Sequence, residues 1–462
     1  MNNTFYNNIR MDEKILSNPN LDTESKSREL RNEILKLVED YSKISHQTKK
    51  FVPGKSFVPC AGRVYDSHEM QMLTAASLDF WLTTGRFNAE FEKKLSEFLN
   101  VNFVASTNSG SSANLLALSA LTSDKLGDRS LNSGDEVIGV AACFPTTVNP
   151  IIQNNLIPVF LDIEFPNYNI DTTLIEDAIT DKTKAIMLAH TLGNPFNLNE
   201  ITKIARQNNL WLVEDCCDAL GSKYDGKLVG TFGDIGTLSF YPAHHMTMGE
   251  GGAVFTNDPL LKKLIISFRD WGRDCYCDPG ENNTCGKRFD WNFEGLPHGY
   301  DHKFIYTHTG YNFKITDMQA SIGLAQLNKI ETFIEKRKEN FNWLKTHLEK
   351  HDKYFLLPKE TQNSEPSWFG FPILIKDNAP FSLQELNGYL FSHNVDTRPI
   401  FAGNIVKQPY FQNKEFRIIG NLTNTDKMME RTFWIGVYPG LTIEMMEYVV
   451  KIIDEFIQFK EK

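Results

Sequence analysis

GTLSFYPAHHMTMGEGGAVFT, residues 236–256, reads as a strand followed by a turn that carries His244, His245 and the run GEGG. It follows a series of short apolar runs: NFVAST (102–107), DEVIGV (135–140), IPVFLDI (157–163), KAIMLAH (184–190) and LWLVED (210–215). Between about residues 65 and 325 these runs alternate with helical patterns, and such alternation predicts the α/β class, a mainly parallel sheet wrapped by helices. Open sheets of that kind leave a crevice at the carboxyl ends of their strands, so catalytic groups are expected on the loops there. Outward toward the N-terminus, Leu30, Ile34, Leu37, Val38 and Tyr41 recur at helical spacing within residues 28–44 and predict one amphipathic helix. Outward toward the C-terminus, residues 321–350 carry a long helical pattern, FGFPILI (369–375) is an apolar run, and residues 444–459 predict a final helix. The expected division is an N-terminal helical extension (1–60), a large cofactor-binding α/β domain (61–325) and a smaller C-terminal α+β domain (326–462).

A chain of 462 residues, 41% of them hydrophobic, can bury a large core and a second smaller one. Its formal net charge of -10 argues against a protein built to bind nucleic acid. It has no run of about 18 apolar residues, and MNNTFYNNIRMDEK at the start lacks the apolar core of a secretory signal, so a cytoplasmic protein without membrane association is expected. In a reducing compartment the seven cysteines, at 60, 143, 216, 217, 275, 277 and 285, are expected to be buried or metal-bound rather than disulfide-bonded.

Several local features suit one cofactor. In STNSGSSANLLAL (106–118), Gly110, Ser111 and Ser112 lie between an apolar run and a helical pattern, where free backbone N–H groups can receive a phosphate. A glycine turn with a serine N-cap reads the same way. LWLVEDCCDALGS (210–222) sets Asp215 at a strand end, where a carboxylate can pair with a protonated pyridine nitrogen and make that ring an electron sink. Such an acid can equally be solvated, and paired loop histidines can equally be surface residues.

Taken together, these motifs resemble the sugar-nucleotide aminotransferases of the DegT/DnrJ/StrS group, fold type I pyridoxal-phosphate enzymes, over roughly residues 60–460. In that family a strand ending in Ser-Phe precedes a cofactor-binding lysine six residues before the Glu of a Glu-Gly-Gly run. Here Ser239 and Phe240 keep the strand end, Glu250 is that Glu, and His244 stands at the lysine's position. The resemblance makes Asp215 the partner of the ring nitrogen and Gly110, Ser111, Ser112 and Ser239 phosphate contacts. It makes Phe144, in VAACFPTTVNP (140–150), the aromatic stacked on the ring. It also makes Asn312, in GYNFKITDMQA (310–320), a residue that reaches the neighbouring subunit's cofactor, which implies a homodimer.

An imidazole cannot form the imine that a lysine amine forms with pyridoxal phosphate, but it can serve as a general base near neutral pH. The same departure marks a branch of the family, the pyridoxamine-phosphate-dependent hexulose dehydrases of 3,6-dideoxysugar synthesis, and HHMTMGEGG resembles their motif. One subtype acts on CDP-4-keto-6-deoxyglucose, carries an iron–sulfur cluster and takes electrons from an NADH-dependent iron–sulfur flavoprotein reductase. The other acts on a GDP sugar, has no cluster and restores its cofactor with glutamate. Cys217, Cys275, Cys277 and Cys285, separated by fifty-seven, one and seven residues, resemble the cluster pattern of the CDP subtype. Four thiolates suit a 2Fe–2S cluster, and the loop at about 270–290 is rich in turn residues able to wrap one. Buried thiols or a four-cysteine zinc site are the other readings of that set. Cys216 is expected to pack, with the ligand role open to it if the segment twists, and Cys60 and Cys143 are expected to be buried. Arg398, Asn404, Lys407 and Tyr410, in DTRPIFAGNIVKQPYF (396–411), are the candidate contacts for the sugar nucleotide. The resulting expectation is a CDP-sugar C-3 dehydrase of lipopolysaccharide O-antigen synthesis, with pyridoxamine phosphate (PMP/PLP) and a 2Fe–2S cluster. Its alternatives are the cluster-free dehydrase, a conventional aminotransferase and a non-catalytic relative.

Overall fold

Side chains along the central strands alternate between two apolar layers, which is why these strands read as continuous hydrophobic runs. Ile186, Leu188 and Leu212 enter one layer; Ala185, Met187, Trp211 and Val213 enter the other, against Leu116 and Ile265 of the covering helices. The structure, a computed structural model, describes residues 21–47, 50–277 and 280–462. Residues 1–20 of the expected N-terminal extension and residues 278–279 of the cysteine-bearing loop lie outside the described residues.

The strands that position the site are β1 (Phe103–Thr107), β2 (Glu136–Val140), β3 (Ile157–Leu161), β4 (Thr183–Ala189), β5 (Trp211–Asp215), β6 (Ile235–Ser239) and β7 (Gly252–Thr256). They form an eight-stranded sheet in the order β1-β7-β6-β5-β4-β2-β3, closed at the far edge by the short strand Arg417–Ile418. Only β7 runs antiparallel to its neighbours; every other pairing is parallel. A second, antiparallel sheet joins β8 (Phe355–Leu356), β9 (Gly370–Ile375) and β10 (Thr432–Gly436) over its own core, which includes Phe341, Phe371, Phe433 and Ile453.

The helices used below are α1 (Thr23–Ser45), α2 (Ser67–Asp79), α3 (Gly110–Ala120), α4 (Pro145–Gln153), α5 (Asp317–Leu327) and α6 (Ile330–Leu348). The helix expected over 28–44 lies inside α1, which is held to α2 by Arg31 to Asp79 (2.7 Å) and to the Ala75 carbonyl (2.8 Å). The pattern over 321–350 is two helices rather than one. The break falls at Asn328 and Lys329, where the Lys329 amide turns back to the Gln326 carbonyl and its ammonium bonds Glu69 of α2 at 2.7 Å. Residues 326–462 do not segregate into one unit either. Arg417–Ile418 pairs with β3, and Ile400, Ile405, Phe411 and Met428 pack into the large core.

Candidate active site

The arms that carry Ser109, Phe144, Asp215 and His244 lie at the carboxyl ends of β1, β2, β5 and β6. After β1 the chain turns through Asn108 and Ser109 into α3, whose N-cap Ser109 accepts a hydrogen bond from the Ser112 amide at 3.0 Å. The first-turn amides of Gly110 and Ser111 have no partner within the helix, and the helix dipole adds positive potential there. A Cβ at Gly110 would stand 2.4 Å from the Ser239 Cβ, so only glycine lets this helix start rest against the end of β6. The result is a cradle for an anion made of α3 amides and the Ser239 side chain.

Asp215 closes β5 and is 4% exposed. Its Oδ2 accepts from Asn114 Nδ2 and from Thr147 Oγ1, both at 2.7 Å, and its Oδ1 accepts from the Cys217 amide at 3.1 Å. Donors on α3, α4 and the loop after β5 thus fix the carboxylate as an acceptor facing a cavity of about 760 Å³. Phe144, at the N-cap of α4, is half exposed and lines that cavity. His244 stands on a turn after β6 that its own amide closes to the Tyr241 carbonyl at 2.9 Å. Its Nδ1 lies 3.3 Å from Asp218 Oδ1, within ion-pair distance though off the line of a hydrogen bond. The Phe369 ring is 5.2 Å from the imidazole.

Of the residues singled out in the sequence, Gly110, Ser111, Phe144, Asp215, Cys217, Ser239, His244 and Arg398 share this one cavity wall. Ser112 does not reach the wall, because its amide serves the Ser109 cap. Asn312 is exposed elsewhere, its backbone bridged to Asp270. Three residues expected to hold substrate are also outside the wall, each for a local reason. Asn404 is 2% exposed and bonded to Asp426 at 2.7 Å, Lys407 pairs with the same Asp426 at 2.7 Å, and Tyr410 donates to Asn149 at 2.9 Å. Residues that join the site without having been singled out include Asn114, which bonds Asp215, and Thr147, Asp218, Tyr241 and Arg63 of the cavity wall. Asp218 carried a usable signal, a second acid three residues after Asp215 in EDCCD.

The cysteines divide. Cys60, Cys143 and Cys216 are buried, and Cys217 lies in the cavity wall. Burial, then the Asp215 charge, pushes the Cys217 thiol well up. Cys275 and Cys277 face each other, Cys277 Sγ is 2.7 Å from Thr284 Oγ1, and Cys285 Sγ accepts from the Lys287 amide. No three of Cys217, Cys275, Cys277 and Cys285 bring their sulfurs within 4.8 Å of one another. Among the described residues such a group is formed only by His190, Glu214 and Cys216. Glu214 there is already satisfied by the amides of Gly230, Phe232 and Gly233 at 2.6–2.9 Å, which makes the trio a structural knot.

Residues 64–454 match the DegT/DnrJ/EryC1/StrS aminotransferase family. The chain belongs to that family. Its fold is accordingly the type I fold of pyridoxal-phosphate-dependent aminotransferases. A lipopolysaccharide biosynthesis protein of Salmonella typhimurium, RfbH, is 60% identical over 92% of this chain and 98% of its own. The dTDP-4-dehydro-2,6-dideoxy-D-glucose 3-dehydratase of Saccharopolyspora spinosa is 49% identical over 92% of both chains. Among solved structures, the family's GDP-4-keto-6-deoxy-D-mannose 3-dehydratase from E. coli, with bound hydrated PLP, superposes with a TM-score of 0.78 at 29% identity, covering 86% of this chain and 99% of its own. The family match begins at residue 64, so α1 lies ahead of it.

Proposed function

We propose that this chain is a nucleotide-sugar 3-dehydratase that works with pyridoxamine phosphate and uses His244 as its base. The observation that carries the reading is an imidazole, and no lysine among the described residues, in the wall that also holds Asp215 and the α3 cradle. The donor set fits that cofactor: an amide-rich helix start for a phosphate, a buried carboxylate for a ring nitrogen and an aromatic face for the ring. Bound there, the cofactor supplies an amine that condenses with a sugar ketone and a ring that accepts electrons.

The chain's own residues then divide the work. α3 and Ser239 would hold the phosphate, Asp215 would keep positive charge on the ring nitrogen, and Phe144 would cover one face of the ring. The Asp218 carboxylate lies beside His244 Nδ1 without a hydrogen bond to it, and the imidazole would serve as the base for a proton on the carbon bearing the cofactor's amine. A 4-keto-6-deoxy sugar losing its 3-hydroxyl is supported by the names of the Saccharopolyspora and E. coli relatives. A role in lipopolysaccharide synthesis is supported by the name of the Salmonella protein. The CDP base, the 2Fe–2S cluster on Cys217, Cys275, Cys277 and Cys285, the NADH-dependent reductase and the homodimer rest on the resemblance of motifs and cysteine spacing. A second reading, a cluster-free enzyme that recharges its cofactor with glutamate, is supported by a solved GDP-4-keto-6-deoxymannose 3-dehydratase, 30% identical, that holds a trapped PLP-glutamate geminal diamine.

His244→Asn is expected to bind pyridoxamine phosphate and to lose exchange of its methylene proton with deuterium oxide; undiminished exchange sinks the base assignment. Iron and acid-labile sulfide in anaerobically purified protein separate the two readings, with stoichiometric iron expected for the first and none for the second.

A further inference from the structure

Arg337 of α6 is 1% exposed and ranks among the largest fully buried side chains of the protein. Among the described residues no carboxylate pairs with it at contact distance; the acid whose charge reaches it is Asp218. Its partners are three backbone carbonyls. Nη1 donates to Trp368 at 3.1 Å and to Phe369 at 3.3 Å, and Nη2 donates to His244 at 3.2 Å. The carbonyl of the proposed base and the carbonyl of the aromatic that leans on its ring are thus held by the two arms of one planar group. Phe369 is itself fixed, its amide bonded to the Leu192 carbonyl at 2.8 Å, and both Phe369 and His244 line the cavity. Burial pulls the guanidinium down to about 9, with Asp218 opposing, so it remains a cation at neutral pH. A buried cation without a contacting anion is an expensive way to fill space that Leu or Met would fill, whereas a rigid fork is well suited to holding two segments in register.

We infer that Arg337 is a positioning residue for His244, clamping the turn that carries the imidazole to the Phe369 wall so that the ring keeps its angle to the cavity. This rests on the reading of His244 as the base. Arg337 is not part of the cavity wall, so its removal acts on the rate of proton transfer and leaves binding alone.

The test compares Arg337→Met and Arg337→Lys with the parent and with His244→Asn, all loaded with pyridoxamine phosphate. Methylene-proton exchange in deuterium oxide, its pH profile and the cofactor Kd are measured, and the His244 ring resonances are followed by NMR in the cofactor-free proteins. In the Met variant exchange falls about a hundredfold, the size of loss that a small misplacement of a catalytic group produces. The Kd stays within about threefold, and the His244 resonances shift or broaden without cofactor. The Lys variant keeps the charge but not the fork and recovers only part of the rate. Exchange within about threefold of the parent in either variant overturns the inference, as does a loss of exchange matched by an equal loss of cofactor affinity. If the Met variant does not fold, the Lys variant decides alone on the same criteria. If His244→Asn still exchanges, the base reading fails; if it is dead while the Arg337 variants match the parent, only the clamp fails.

Discussion

His244 and His245 are neighbours with opposite surroundings, and the difference is set one residue at a time. His244 faces Asp218 in the cavity, whereas His245 is 3% exposed and donates from Nε2 to the Ser367 carbonyl at 2.8 Å. Burial first, and the Arg337 charge second, holds the His245 ring well below its ordinary value of 6.5. The folded protein therefore keeps His245 neutral while the unfolded chain takes up a proton below about pH 6.5. Stability contributed by this group is complete above that pH and declines as pH falls, by about 1.4 kcal/mol per pH unit. His245→Gln removes that part of the slope, so urea midpoints measured across roughly pH 7 to pH 5.5 are expected to fall more steeply for the parent. Equal slopes would mean that His245 titrates alike in the folded and unfolded protein. In the sequence Asp215 was marked by its place at a strand end, whereas Ser239, Phe144 and His244 were singled out by the resemblance of their motifs to the family. Asn114 and Thr147 were not, since a polar residue inside a helical pattern says nothing about the carboxylate it meets across the fold.

At the scale of elements, α3 shows how a helix start becomes a binding surface. Its Gly110 is chosen by the close approach of β6, since an added Cβ would lie 2.8 Å from Ser239 Oγ and 2.4 Å from its Cβ. Gly110→Ala must push α3 away from β6 or turn Ser239 out of place, a form of overpacking that costs about 1–3 kcal/mol. The expected result is a folded protein with a lower denaturant midpoint and at least about tenfold weaker binding of pyridoxal phosphate in an absorbance titration. Unchanged affinity would remove Gly110 from the cradle. The strands of the large sheet were readable because burial on both faces makes each a short apolar run. Arg417–Ile418 was not: two residues have no period, and its place beside β3 is set by the sheet edge. The break between α5 and α6 escaped notice for a related reason, because the apolar pattern runs through it while Lys329 anchors the turn against α2.

At the scale of the whole molecule, Phe144 and Tyr241 of the cavity wall, and Trp271 and the run Phe80 to Leu82 elsewhere on the surface, are exposed apolar side chains that a second subunit could cover. Asn312 is exposed and outside its own chain's cavity, so any contact it makes with a cofactor must be to another copy's. If that contact is made, the two-fold symmetry of a dimer makes it reciprocal, each Asn312 serving the opposite subunit's site. His244→Asn and Asn312→Ala chains, each inactive alone, can be mixed, dissociated and reassembled. If the sites are shared, a mixed dimer contains one site with both residues intact, and a random mixture regains about a quarter of the parent exchange rate. If Asn312 serves only its own chain, every site in the mixed dimer carries one defect and nothing is regained. Sedimentation of the parent provides the independent check, with a particle of twice 52.8 kDa expected; a monomer that retains full exchange would remove the shared site altogether.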